Sequence, residues 1–261
     1  MAVLLYKVRL DLLNSNEDFC RKMNRKIIIV GATSGIGRRI AELYAEQGYN
    51  IGVTGRRQEL LDEIKNKYPE QAEYECFDIT GPNNIQHLEA LAQRLGGLDT
   101  LIISSGIGEP SKILDPVIDK RTVETNVTGF TEIANWSFNY FARQGYGRLA
   151  FISSVAANRG GLHAPAYNAS KAFQSNYAYG LSLKAGRINR EISVTCVEPG
   201  FVATKMAKSD KLFWVVPVEK AARQIIRAIE KRKRKAYISR RWWVVAKALR
   251  WVPHWLYRKI G

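Results

Sequence analysis

Tyr167 and Lys171 stand four residues apart in the segment YNASK, and Ser154 lies thirteen residues before the tyrosine. A spacing of four puts the phenol and the ammonium on one face of a helix. A free tyrosine titrates near about 10, too high for easy proton exchange at neutral pH. A cation beside it favours the phenolate, and lowering its pKa by about 3 units takes roughly 4 kcal/mol. A serine hydroxyl on the other side can polarise a carbonyl oxygen. The three residue types suit proton transfer to or from a carbonyl or hydroxyl oxygen. Taken alone, the spacing also describes an ordinary helical pair, so the elements that position it must decide.

Those elements alternate. KIIIV, 26–30, is rich in β-branched residues and reads as a strand buried on both faces. A helical pattern follows, with Ile36, Ile40, Leu43 and Tyr44 on one face and Gly48 as its stop. Further strands are expected at YNIGVT, AEYECF, DTLIIS, GRLAFIS, EISVTCV and KAYIS. The helices between them are expected at about 57–68, 83–95, 118–143, 166–187 and 218–231. Strict alternation predicts an α/β, doubly wound, Rossmann-type three-layer fold with a seven-stranded parallel sheet, plus a basic Trp-rich C-terminal helix. The expected organisation is a dispensable leader over 1–23, one domain over 24–239 and a basic amphipathic tail over 240–261.

The turn after the first strand is VGATSGIG, with Gly31, Thr33, Ser34, Gly35, Ile36 and Gly37. Glycines between a strand and a helix let backbone N–H groups approach a pyrophosphate at the helix N-terminus. The second strand ends in TGRR. An acid there would bind a free ribose 2′-hydroxyl, whereas Arg56 and Arg57 suit a 2′-phosphate, so NADP(H) is expected over NAD(H). Asp78, after the third strand, is placed to accept from the adenine amino group. Ser153 and Ser154 end the fifth strand on the same carboxyl edge as the glycine turn.

With GATSGIG, Asp78, NVTG at 126–129, Ser154, YNASK and PGFVATK at 199–205 in this order, the chain resembles the short-chain dehydrogenase/reductase superfamily over about residues 25–239. The resemblance implies that Tyr167 gives or takes the proton and that Lys171 holds the nicotinamide ribose and lowers the tyrosine pKa. It implies that Ser154 orients the reacting oxygen and Asn126 supports a water-linked proton relay. Ser105, Gly106, Pro199, Gly200, Val202 and Thr204 would line the cofactor, Thr204 and the backbone near Val202 holding its carboxamide. Family members usually carry N-N-A-G after the fourth strand; here it is ISSG, 103–106, with Ser104 in place of an asparagine. A homodimer or homotetramer is implied as well.

Charge separates the tail from the rest. The net charge is +16, yet residues 220–261 hold fourteen Lys and Arg against Glu230 alone. Trp242, Val245, Ala246, Leu249 and Val252 share one helical face, and Lys247, Arg250, His254 and Arg258 follow another. Such a helix lies in an anionic membrane surface, or packs its apolar face on the domain or a second subunit. No nucleic-acid recognition motif accompanies the charge. The lid position, after Thr204, carries Leu212, Phe213, Trp214, Val215 and Val216, which favours a hydrophobic carbonyl or alcohol substrate such as a 3-oxoacyl, sphingoid or steroid-like compound. The three cysteines and three histidines are scattered, so neither a disulfide nor a metal is expected. The expected protein is a cytoplasmic NADP(H)-dependent reductase, peripheral at the inner membrane face. The alternative is a cofactor-binding regulator or scaffold at a membrane surface.

Overall fold

The alternating apolar runs form one parallel sheet in the computed structural model, which describes residues 25–111, 113–204 and 213–260. The expected leader lies outside the described residues, as does most of the lid position. The strands are β1 (Lys26–Val30), β2 (Asn50–Gly55), β3 (Ala72–Cys76), β4 (Thr100–Ile103), β5 (Gly147–Ile152), β6 (Ile192–Pro199) and β7 (Lys235–Ile238). They lie in the order β3-β2-β1-β4-β5-β6-β7, with every neighbouring pair parallel. The order reverses between β1 and β4, and it is at the carboxyl ends beside such a reversal that ligands of these sheets bind.

Successive residues of each central strand feed opposite cores. Ile28 and Val30 face Leu101, Ile103, Leu149 and Phe151 on one side; Ile27 and Ile29 join Ile51, Val53, Ile102 and Ala150 on the other. The first side is covered by α3 (Asn84–Leu95), α5 (Phe130–Gln144) and α6 (Pro165–Ile188), through Leu88, Leu91, Phe130, Ile133, Ala178 and Leu181. The second is covered by α1 (Gly35–Ala45), α2 (Gln58–Lys67) and α7 (Val218–Glu230), through Ile40, Leu43, Leu61, Ile64, Ala221 and Ile225. Both faces of the sheet are therefore dry, which is why these strands are almost continuously apolar. Each fully buried Ile or Leu contributes about 1.5–3 kcal/mol.

The helix expected over 118–143 is interrupted. It comprises α4 (Pro116–Val123), a π-helical stretch at Glu124–Gly129, and α5. The wider turn carries Asn126, whose amide clamps the loop after β4: Ile107 N–H donates to Oδ1 at 2.9 Å, and Nδ2 donates to Ile107 O at 2.7 Å. Such widened turns recur at functional sites.

The tail forms α8 (Arg241–Trp251) and α9 (His254–Ile260), separated at Pro253. The face that the sequence offers to a membrane packs on the domain instead. Trp242 and Ala246 are buried, and Val245, Leu249 and Val252 are half-buried. Trp242 meets Phe201 edge to face and stacks on Phe213, each at 5.2 Å between ring centroids. Arg159 holds the end of α8 by donating to Leu249 O at 2.7 Å, and its guanidinium lies 4.1 Å from the Tyr257 ring centroid. The aromatic side chains that do point outward are Trp243, Trp251 and Trp255, the last two 83% and 65% exposed.

Candidate active site

The glycine turn shapes one end of the site. Gly31 has φ +86°, and a Cβ there would lie 2.6 Å from Ser105 N. A Cβ on Gly37 would lie 2.2 Å from Gly31 O, so the turn folds back on the helix with no room for side chains. Ser34 occupies the N-cap of α1 but makes no side-chain cap, which leaves the first-turn N–H groups open to an anion. Thr204 stands across this opening, its Cγ2 at 3.3 Å from where a Gly35 Cβ would be. Ser104 and Ser105 N–H groups both donate to Val30 O, at 2.8 and 2.9 Å, and Ser105 Oγ is buried with no partner among the described residues. An unpaired hydroxyl, an uncapped helix and a side-chain-free turn together fit a dinucleotide pyrophosphate and its ribose.

Arg56 and Arg57 lie at the rim. Arg57 donates to Thr33 Oγ1 at 2.7 Å and to Ser34 Oγ at 3.1 Å. Arg56 pairs with Asp78 at 3.3 Å. Burial would raise the Asp78 pKa, but hydrogen bonds from Thr80 and the Arg56 charge outweigh it and hold the carboxyl below its ordinary value. Asp78 is thus ionised and able to accept a further hydrogen bond.

At the other end, β5 runs into two serines that divide their work. Ser153 points inward: its Oγ lies 2.9 Å from both Lys171 O and Ser175 Oγ, and Ser175 donates to Glu198 at 2.8 Å. Glu198 is fully buried and paired with Lys235 at 2.6 Å. Ser154 caps a short 3₁₀ turn at Val155–Asn158, where its Oγ accepts from Ala156 N at 3.1 Å, so its proton remains available.

Tyr167 and Lys171 share the first turns of α6, as their spacing predicts. Lys171 is 4% exposed, and its Nζ lies 5.8 Å from the Tyr167 ring centroid, donating to Ile152 O at 3.1 Å and Gln174 Oε1 at 3.0 Å. Burial lowers the lysine to about 8. The expected depression of the tyrosine does not arise from these residues by themselves: burial raises the phenol, and the hydrogen bond with Ser154 opposes it only in part. Burial thus keeps the phenol in its protonated, donor-competent form. Asn126, fully buried, joins this group by donating to Ser170 Oγ at 3.0 Å.

Pro199 ends β6 and Gly200 follows it. Gly200 N–H donates to Ile238 O at 2.7 Å, and a Cβ on Gly200 would lie 2.0 Å from the Trp242 ring. Val202 pairs with Val216 in an isolated bridge, and Thr204 N–H donates to Val202 O at 2.7 Å. Gly106 lines the floor, where a Cβ would lie 3.1 Å from Lys171 Nζ. The sequence reading did not single out Gln174, the Ser153–Ser175–Glu198–Lys235 chain, or Trp242 as a support of this loop. Each is a polar residue or tryptophan with at least one partner distant in sequence, as Gln174 has in Asn126, so spacing alone gives no sign of it.

A family model described as short chain dehydrogenase matches residues 25–212. An uncharacterised oxidoreductase of Mycobacterium tuberculosis is 32% identical over 241 residues, covering 87% of this chain and 93% of the relative. A short-chain dehydrogenase from Sphingobium yanoikuyae, in complex with NADPH, superposes with a TM-score of 0.75 at 23% identity, over 86% of this chain and 93% of that one. A 3-ketoacyl-(acyl-carrier-protein) reductase from Brucella melitensis, complexed with NADH, gives 0.74 at 19% identity, over 82% and 95%.

Proposed function

The chain belongs to the short-chain dehydrogenase family of oxidoreductases, and from this premise we propose that it reduces a ketone or aldehyde on a hydrophobic molecule, using NADP(H), with Tyr167 as the proton donor. The observation that carries the reading is the meeting of Ser154, Tyr167, Lys171 and Asn126 at the sheet edge, facing an open glycine turn. Bound NADPH would supply the hydride to the carbonyl carbon. The α1 N-terminus and the glycine turn hold the pyrophosphate, and Lys171, with two ammonium hydrogens committed to protein acceptors, has one left for the ribose hydroxyls. The Ser154 hydroxyl, which bonds the Tyr167 phenol, would polarise the carbonyl oxygen, and Tyr167 would protonate that oxygen as negative charge develops there. A panel of carbonyls and alcohols with both nicotinamides, followed by cofactor absorbance, tests this. Cofactor binding with no turnover of any member would favour the regulator or scaffold instead.

The choice of NADP(H) is supported by the two rim arginines and the lack of an acid at the end of β2. Arg56→Ala is expected to weaken NADPH binding about tenfold. A charge-assisted contact contributes roughly 1.5–3 kcal/mol, and the lower end applies because the Arg56 side chain is 61% exposed and screened by solvent. NADH binding should stay unchanged. Equal losses for the two cofactors, measured by fluorescence titration, would show that Arg56 does not read a 2′-phosphate.

A hydrophobic substrate is supported by Phe213, Trp214 and Val215, which line the end of the lid position half in solvent. The outward residues Phe173, Tyr179 and Leu183 of α6 fit burial in a homodimer or homotetramer. The outer face of the tail fits an anionic membrane better than a second copy. Residues 240–261 carry six Lys and Arg and no acid, so two such faces would repel. No described helix is long and apolar enough to cross a membrane, so binding would be at the surface. The protein should bind vesicles containing phosphatidylserine at low salt, release them at high salt, and ignore phosphatidylcholine alone. The double variant Trp251→Ser, Trp255→Ser should bind less, with an unchanged melting temperature. Equal indifference to both vesicles would remove the membrane from this reading.

A further inference from the structure

Gln174 is 1% exposed on α6, and an amide buried that deeply needs partners at both ends. Its Oε1 accepts from Lys171 Nζ at 3.0 Å, and its Nε2 donates to Asn126 O at 2.9 Å. The orientation of the amide is forced, because an ammonium only donates and a carbonyl only accepts. The side chain thus spans directly from the lysine to the backbone of the π-helical stretch. A water in that place would accept and donate at once and could hand a proton from one neighbour to the next. A primary amide cannot, short of becoming the imidic acid.

Resting on the reductase reading, we propose that Gln174 is the positioning residue of this site: it fixes the Lys171 ammonium to the Asn126 carbonyl, and it ends the proton route at Lys171 where a relay water would continue it. Ile152 O, Gln174 Oε1 and the ring of Tyr167 then define where the ammonium sits, and Gly106 lies beside it, where a Cβ would come within 3.1 Å of Nζ. The titratable groups that face Lys171 are Tyr167 on the same helix and Cys196 from β6, with the Glu198–Lys235 pair of β6 and β7 beyond the cysteine. Among the described residues no carboxylate touches the ammonium, so the neutral Oε1 dipole is its strongest side-chain partner.

That arrangement predicts shifts of opposite sign in two variants. Reduction needs the ammonium, so the rate falls as pH rises through the Lys171 pKa, held by burial at about 8. Gln174→Met keeps the length and volume of the side chain but removes the acceptor. The ammonium is then less favoured, and the alkaline limb of kcat against pH should move down by about one pH unit. Gln174→Glu supplies a carboxylate, and the limb should move up by at least about as much. KM for the carbonyl should change less than kcat in both. The same two shifts should appear in the titration of the Lys171 Cε resonance in 13C-lysine-labelled protein, assigned against Lys171→Arg, which needs no turnover. If neither variant moves the limb or the resonance, or both move them the same way, Gln174 is only a packing residue and the proposal fails. Opposite resonance shifts in a protein that reduces none of the carbonyls would uphold the positioning of Lys171 and overturn the reductase reading.

Discussion

Tyr167→Phe is expected to abolish turnover while NADPH still binds within a few-fold of the unchanged protein. The phenol holds a proton at neutral pH, because burial keeps it above its ordinary pKa, and Ser154 beside it does not titrate; the Lys171 ammonium donates instead to Ile152 O and Gln174 Oε1. General acid catalysis by a positioned side chain contributes typically 10²–10⁴-fold, and the loss should fall in about that range or beyond measurement. Phenylalanine leaves the ring in place beside Gly108, where a Cβ would come within 2.6 Å of it, so packing survives. Lys171 keeps both of its acceptors, which lie on Ile152 and Gln174 and not on the tyrosine. Single-turnover absorbance and cofactor fluorescence, on the same preparation, separate chemistry from binding. A variant that retains a tenth of the rate would mean that another group delivers the proton. A variant that loses cofactor affinity in proportion would mean that the phenol holds the nicotinamide and not the substrate.

The sheet was legible because its strands are dry on both faces. A run such as Ile27, Ile28, Ile29 is short, β-branched and followed at once by a glycine turn, which favours a strand over a helix, and each successive residue is claimed by a different core. The glycine turn and YNASK were legible for a related reason: their chemistry depends on neighbours within one turn of a helix. What was not legible depends on partners far along the chain. Nothing in the local sequence ETNVTG marks 124–129 as a widened turn; the widening goes with the Asn126 amide reaching the Ile107 backbone, nineteen residues earlier. A glutamine in a helix ordinarily faces water, and Gln174 is buried only because Lys171 and the Asn126 carbonyl, forty-eight residues earlier, complete its two hydrogen bonds. The tail shows the limit of amphipathic patterning most directly. Periodicity identified the face of Trp242 and Ala246 as apolar, and that is all periodicity can do; whether lipid, a second subunit or the domain itself covers such a face is decided by shape.

Trp242→Ala is expected to unfold the protein at a temperature roughly 10 °C lower. Truncating a buried tryptophan costs about 3–5 kcal/mol, and in a domain of this size each kcal/mol moves the melting temperature by about 2–4 °C. Trp242 is 2% exposed and touches Phe201, Phe213 and Trp214, so its removal leaves a void among aromatic rings beside the end of β6. The effect should reach the chemistry. The tryptophan ring lies directly behind Gly200, close enough that any Cβ there would overlap it, and Gly200 leads through Phe201 and Val202 to Thr204 opposite the glycine turn. With the ring gone, the loop loses its backing, and NADPH affinity should fall together with stability. Trp251→Ala serves as the control: that side chain is 83% exposed, and its removal should alter stability by no more than about 0.5 kcal/mol. The sequence places a boundary between residues 239 and 240, and Trp242 packs across it. If Trp242→Ala melts where the unchanged protein does and binds NADPH equally well, then the tail is an appendage that the domain does not need. If it melts early and binds poorly, whatever engages the outer face of α8 acts on a helix whose inner face supports the cofactor loop.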